Sequence, residues 1–374
     1  MLVGSRVCVG VLAHNEARGI GAMIGRLVEQ SLLRDASRAV DVVVLANGCS
    51  DATVERAVGA CEGLSRVGSG LVANLRVVEI KERVGKVGAW NAFVHRLSGD
   101  ADVLVLVDAD VSFSSVDHLL EGVQVLEANP EAQIAAPWAE RVISGRTLLS
   151  RVAGASSNFS FDDTAMCGQS YTLRADVARK LTLPTGVLDD GFIKAMVVTD
   201  MFTRSDPDIL NRFVRLATSV RYVPETTIRG LFTHETSLTV GMSVNAYLFE
   251  LFDHQRRTAT TFNAADWLRE QAEGDSDWFS KFMKGEIDTR GWRCVPAGVR
   301  NRRIYRSKML PVVRRLKRLP LTVGAWVFDQ LVVLKATHIL RTGRGMSYWK
   351  GAQMDGQAHG AIGTEVFNSR AVTT

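Results

Sequence analysis

Val103-Leu-Val-Leu-Val-Asp-Ala-Asp110 is the stretch that decides the architecture of this chain. Its Val/Leu run is too short for a core helix and is apolar on both faces, as in a strand buried inside a parallel sheet. It ends abruptly in two carboxylates spaced i, i+2, which extended backbone sends to the same side. Outward from it, apolar runs at residues 7–12, 41–45 and 75–80 alternate with helical periods at about 19–33, 51–61 and 87–97. Strands alternating with helices predict an α/β protein: a Rossmann-like, mostly parallel sheet flanked by helices. Beyond Asp110 the spacing predicts a helix over 116–128, short strands at 133–136 and 220–223, and a mainly helical chain from about Leu238. That suggests a division into residues 1–237, carrying the sheet, and 238–374, a helical C-terminal extension. Residues 159–173 mix small, polar and aromatic side chains and indicate no element.

The composition agrees. Of 374 residues, 46% are hydrophobic and 23% charged, which excludes a mostly disordered chain, a collagen and a disulfide-stapled miniprotein. Cys8, Cys49, Cys61, Cys167 and Cys294 are odd in number, widely spaced and form no C-x-x-C, so neither a disulfide framework nor a cysteine zinc site is indicated. A reducing, cytoplasmic location is expected. No signal peptide is read at the start, and no uninterrupted apolar stretch reaches ~18 residues.

Ligands of open parallel sheets bind beyond the carboxyl ends of the strands. There the sequence places Ala13-His14-Asn15-Glu16, Asn47-Gly-Cys-Ser-Asp51 and Asp108-Ala109-Asp110. Two carboxylates in D-x-D spacing can hold a hard divalent cation and leave positions for phosphate oxygens; equally, Asp is common in turns. Asp189-Asp190 can supply a general base, or can simply start a helix. His234-Glu235, read as following a strand, is a candidate extra metal ligand or phosphate contact. The glycines of Gly19-Ile-Gly21-Ala-Met-Ile-Gly25 are no dinucleotide fingerprint. They stand six residues beyond the strand, and no acidic residue ends the second strand. Residues 300–318 hold nine Lys/Arg and no acid, directly before the apolar segment 319–334. That pairing fits an anionic membrane surface, with Trp326, Phe328, Tyr348 and Trp349 at the interface. No nucleic-acid module is visible.

Taken in order, these pieces resemble the inverting family 2 glycosyltransferases, whose fold is GT-A. Val9-Gly-Val-Leu-Ala-His-Asn-Glu16, Val44-Leu-Ala-Asn-Gly-Cys-Ser-Asp-Ala-Thr53, Gly85-Lys-Val-Gly-Ala-Trp-Asn91 and Asp108-Ala-Asp110 are similar to that family's successive segments. So are Cys167-Gly-Gln-Ser-Tyr-Thr-Leu-Arg174 with Asp189-Asp190, and Tyr222-Val-Pro-Glu225. The resemblance covers roughly residues 5–235. It implies transfer of a sugar from a nucleotide diphosphate sugar to an acceptor hydroxyl, in polysaccharide, glycolipid or lipid-linked glycan synthesis. Mn²⁺ or Mg²⁺ would be held by Asp110 with Asp108. Asp190, beside Asp189, would be the base. Asn15, Glu16 and Asp51 would hold base and ribose, with Ala13, His14, Lys86, Asn91 and Ala109 near the nucleotide.

The chain departs from the pattern in three places. Ala46-Asn47 stand where the family has an acidic residue facing the nucleotide base, leaving Asn47 to hydrogen-bond it. The E-D pair is Asp189-Asp190. The Gln-x-x-Arg-Trp of processive synthases is absent; Asp253-His-Gln-Arg-Arg257 is a faint echo. Two other functions stay open on the residues alone: a sugar-nucleotide-binding scaffold without turnover, and a sugar-nucleotide pyrophosphorylase.

Overall fold

The computed structural model describes residues 4–67, 73–142, 165–225, 227–308, 311–342 and 363–369. Tyr348 and Trp349, and the first part of 159–173, lie outside the described residues. The strands are β1 (Val7–Ala13), β2 (Val40–Asn47), β3 (Asn74–Ile80), β4 (Val103–Asp108), β5 (Ser112–Phe113), β6 (Ile134–Arg141), β7 (Ser170–Arg174), β8 (Phe213–Tyr222) and β9 (Thr364–Asn368). They form one sheet in the order β5-β8-β6-β7-β4-β1-β2-β3-β9. Helices of eight residues or more are α1 (Ile20–Val28), α2 (Thr53–Val67), α3 (Gly85–Ala92), α4 (His118–Ala128), α5 (Asp189–Val198), α6 (Ile228–Thr258), α7 (Ala264–Gly274), α8 (Trp278–Arg290) and α9 (Val312–Thr342).

The α/β architecture matches the sequence expectation, but the sheet is more mixed than expected. β3, β2, β1 and β4 run parallel, as do β6 and β8. β7 enters antiparallel between β4 and β6, while β5 and β9 pair antiparallel at the two edges. The parallel half is the part built from continuous Val/Leu runs. β7 is Ser-Tyr-Thr-Leu-Arg, which carries no such signal.

The sheet divides two cores. Val7, Val9 and Val11 face one with Ile20, Met23, Ile24 and Leu27 of α1; Cys8 faces the other with Trp90 and Phe93. Strand alternation produces this split, and the helical spacing of the α1 residues turns one stripe inward. Gly10 leaves room for the Phe93 ring, which would stand 2.7 Å from any Cβ there. Helix α1 stops at Val28, short of the expected Leu33, and the chain continues as a 3₁₀ turn over Ser31–Arg34.

The C-terminal helices are part of this packing. Helix α6 starts at Ile228, earlier than expected, and runs unbroken through residues 237 and 238. Its Val244, Tyr247, Leu248 and Phe252 lie in the same core as Trp90 and Phe192. Helix α9 is tied to its neighbours by ions: Arg303 donates to both oxygens of buried Asp329, at 2.7 and 3.0 Å, and Arg302 pairs with Glu235 of α6. Within α9, Thr322–Thr342 is long and apolar enough to cross a membrane by length and composition, although no uninterrupted apolar run was expected there.

Candidate active site

The β1–β4 register sets Leu12 beside Asp108, and the β1–β2 register sets Ala13 beside Ala46. The polar residues after these strands therefore meet at one edge. They open a cleft of about 280 Å³ lined by segments 12–16, 83–89 and 108–110 together with Asn47. Of the residues singled out in the sequence, Ala13, His14, Glu16, Asn47, Lys86, Asp108, Ala109 and Asp110 line it. The Asp108–Asp110 turn is held from behind, Asp108 N–H donating to Gln169 O at 2.8 Å and Ala109 N–H to Leu12 O at 3.1 Å.

Lys86 is the centre of charge. It extends from the first turn of α3, and its Nζ donates to Asp108 Oδ2 at 3.0 Å and to Gly168 O at 2.9 Å. It also stands 3.3 Å from Asp189 Oδ2, which is buried, takes no aligned hydrogen bond and is served by this charge alone. Burial works against the ammonium, but Asp108 and then Asp189 outweigh it and hold its pKa well above that of an ordinary lysine. Burial pushes Asp108 up to about 7, opposed by Lys86 and reinforced by Asp189 and Asp110. Glu16 is raised by burial first, then by Asp110 and Asp51.

Asp189 and Asp190 both sit in the first turn of α5, as the helix-start expectation has it, and the N-terminal dipole favours carboxylates there. Asp190 accepts Gly191 N–H at 2.6 Å. Burial, then Asp189, raise it to about 6, against the pull of Lys86. Gly168 permits its approach: a Cβ at 168 would stand 2.9 Å from Asp190 Cβ. Beneath lies Tyr171, whose Oη accepts the buried Trp90 Nε1–H at 2.8 Å.

Other residues expected in the site turn out to build its walls. Asn47 was expected to read a nucleotide base. Instead its Nδ2 donates to Gly85 O at 2.9 Å and its Oδ1 accepts Val84 N–H at 3.1 Å, so both ends of a 5% exposed amide clamp the loop before α3. Its main-chain carbonyl accepts His14 Nδ1–H at 2.7 Å. Asn91 lies off the cleft and clamps Leu183 through both its N–H and its carbonyl. Asp51 accepts Thr53 N–H at 3.1 Å and Ala17 N–H at 3.1 Å, satisfying the start of α2 and the 14–17 loop. Asn15, at φ 57°, accepts Ser50 N–H at 2.8 Å and stitches the β1 and β2 loops together.

His234 is corrected in a different way. It is exposed on α6 and does not follow a strand, and the ion pairs and hydrogen bonds of Asp108 do not include it. Among the described residues no three His, Cys, Asp or Glu side chains gather to hold a metal by themselves.

Arg83 was missed. It lines the cleft from the loop after β3, and its backbone lies so close to Gly48 that a Cβ there would meet Arg83 Cα at 2.5 Å. The strand-end rule that picked out the other loops, applied after Ile80, would have found it.

Residues 8–167 of this chain match the family model for glycosyl transferase family 2. Among curated proteins none matches the sequence. Similar solved structures include the mannosyltransferase PcManGT of Pyrobaculum calidifontis, in complex with GDP-Man and Mn²⁺. It is 18% identical, with 92% of this chain and 88% of that chain covered and a TM-score of 0.49. Another is glucosyl-3-phosphoglycerate synthase of Mycobacterium tuberculosis, in complex with Mg²⁺ and UDP. It is 17% identical, with 64% and 78% covered and a TM-score of 0.44.

Proposed function

We propose that the chain is a metal-dependent glycosyltransferase that moves a sugar from a nucleotide diphosphate sugar to an acceptor hydroxyl, with inversion at the anomeric carbon. The observation that carries this reading is the gathering of Asp108 and Asp189 around Lys86, at 3.0 and 3.3 Å, where the parallel strands end. Donor-side and acceptor-side carboxylates thereby share one counter-charge. Residues 1–237 would hold donor and chemistry, with 238–374 as their helical support.

Asp110, with Asp108 beside it, would hold the divalent cation, Mn²⁺ or Mg²⁺. The donor set is hard oxygen, and two protein carboxylates leave positions for phosphate. Burial raises Glu16 and Asp108 first, and the Asp110 charge raises both further; a bound cation would relieve that repulsion. Once bound, it would stabilise negative charge on the departing diphosphate. The chain's own groups do the rest. Asp190, ionised above about pH 6, takes the proton from the acceptor hydroxyl as its oxygen bonds to the anomeric carbon and the nucleotide diphosphate leaves. Asp189, held by Lys86, raises the proton affinity of Asp190. His14, Glu16 and Arg83 line the donor cleft. The acceptor is proposed to be a sugar or a lipid-linked group, met at the cytoplasmic face of an anionic membrane reached through residues 300–334.

The test is a thermal-shift panel of nucleotide diphosphate sugars with and without Mn²⁺, on wild type and Asp110→Ala, followed by product analysis with the stabilising donor. Mn²⁺-dependent stabilisation by one donor, lost in the variant, with glycoside formed, is the expected result. Stabilisation without any product on candidate acceptors or water would replace the transferase with a sugar-nucleotide-binding scaffold.

A further inference from the structure

Helix α9 carries a face that no other part of the described structure covers. Leu316, Leu319, Val323, Val327, Leu331 and Leu334 are each 51–64% exposed. At 100° per residue they fall within an arc of about 120° and extend for about 27 Å. The opposite side of the helix is docked: Asp329, Val332, Ala336 and Leu340 are at most 4% exposed, and Asp329 is ion-paired to Arg303. Exposed Lys317 and Lys335 lie on one flank of the stripe, within a region where residues 300–318 hold nine Lys/Arg and no acid. The expected interfacial aromatics are placed otherwise. Trp326 reaches towards Asn301, and Phe328 packs edge-on against Phe232 of α6.

We propose that α9 lies flat in the surface of an anionic bilayer, with the Leu/Val stripe immersed and the flanking lysines against lipid phosphates. The charge decides the occupant: a long apolar stripe bordered by cations is the pattern of an in-plane amphipathic helix. The docked face decides the orientation. A spanning arrangement would strip Asp329 of Arg303 and expose Val332, Ala336 and Leu340 of the core-facing side. The helix therefore meets the membrane from the side, as part of the folded protein. This inference deepens the membrane part of the proposed function and does not depend on sugar transfer, which is measured separately with soluble donors.

The test is co-sedimentation of the full chain with phosphatidylcholine vesicles, with and without phosphatidylglycerol. The variants are Val323→Glu/Val327→Glu/Leu331→Glu and Lys317→Glu/Lys335→Glu, checked for unchanged melting. Wild type is expected to sediment only with the phosphatidylglycerol vesicles and to be released by high salt. The triple variant is expected to stay in solution, and the lysine variant to bind about fivefold more weakly for each charge removed. Failure of wild type to bind, or equal binding by the triple variant, overturns the proposal. So does a wild-type dimer in light scattering that the triple variant converts to a monomer without any vesicle binding, which would give the stripe to a second copy of the chain.

Discussion

Asp190→Asn should make the protein more stable while abolishing turnover, and pH separates the two effects. Asp190 moves from an ordinary 3.8 to about 6, first through burial and then through Asp189. A raised carboxyl pKa means that the folded state favours the neutral form. Its stabilising contribution is whole below about pH 4, the unfolded value, and is lost as pH rises through about 6. Above that, keeping the ionised carboxylate costs about 3 kcal/mol, at 1.36 kcal/mol for each tenfold change in proton affinity. Asn has the same shape, can still accept Gly191 N–H and avoids that cost. Thermal denaturation of both proteins from about pH 4 to pH 8 should give near-equal Tm values at the acid end. The variant's lead should grow to several degrees by pH 8. Turnover of wild type should fall below about pH 6, because the neutral acid cannot take the acceptor proton. A Tm difference that does not change with pH, or a variant less stable than wild type at pH 8, would refute the reasoning.

Three further outcomes follow from the same geometry. Lys86→Met leaves Asp108 and Asp189 without their shared cation, so kcat/KM should fall by about 10²–10³-fold, measured with a saturating acceptor; a change below threefold would remove Lys86 from the site. Asn47→Asp loses the donor to Gly85 O in a buried position and should cost about 1–3 kcal/mol in denaturant unfolding. It should leave the preference between uridine and guanosine donors unchanged, whereas a base-reading Asn47 would alter that preference. Gly168→Ala puts a methyl 2.9 Å from Asp190 Cβ and should cost about 1–3 kcal/mol along with most turnover. Full activity there would show that α5 yields easily.

Much of the cleft's position could be read from the sequence because its signals are local. A Val/Leu run that stops at Asp108 marks both a buried strand and its exposed end, and the register does the rest: neighbouring parallel strands put Ala13, Ala46 and Asp108 at one edge. The wall residues were misjudged because a side chain's partners are set in three dimensions. Asn47 and Asn91 stand at positions that look ligand-facing, yet each turns its amide onto backbone, to Gly85 and Leu183. Strand β7 carried no alternation, and β9 pairs with β3 across almost the whole chain, a contact that no local pattern announces. His234 failed for a related reason. The helical period of α6 was read as starting near Leu238, which left His234 in a loop after a strand, whereas Thr227 already begins the helix by accepting Gly230 N–H.

The electrostatic arrangement bears on the choice between a catalyst and a scaffold. Binding a nucleotide diphosphate sugar calls for cations, donors and two carboxylates for a metal. It gains nothing from a second buried acidic pair. Asp189 and Asp190 stand side by side in one helical turn, Asp189 is buried at 8% exposure, and it raises the proton affinity of Asp190. Neutral residues would serve a binding wall at lower cost, since each buried carboxylate must be desolvated. Lys86 forms salt bridges with Asp108 and Asp189 but acts on Asp190 only through its charge, which lowers its proton affinity. Asp190, with no salt bridge of its own among the described residues, is raised to about 6 by burial and by Asp189. A group held there is poised to take a proton at physiological pH, and that placement is intelligible as machinery for an acceptor hydroxyl rather than as part of a binding surface.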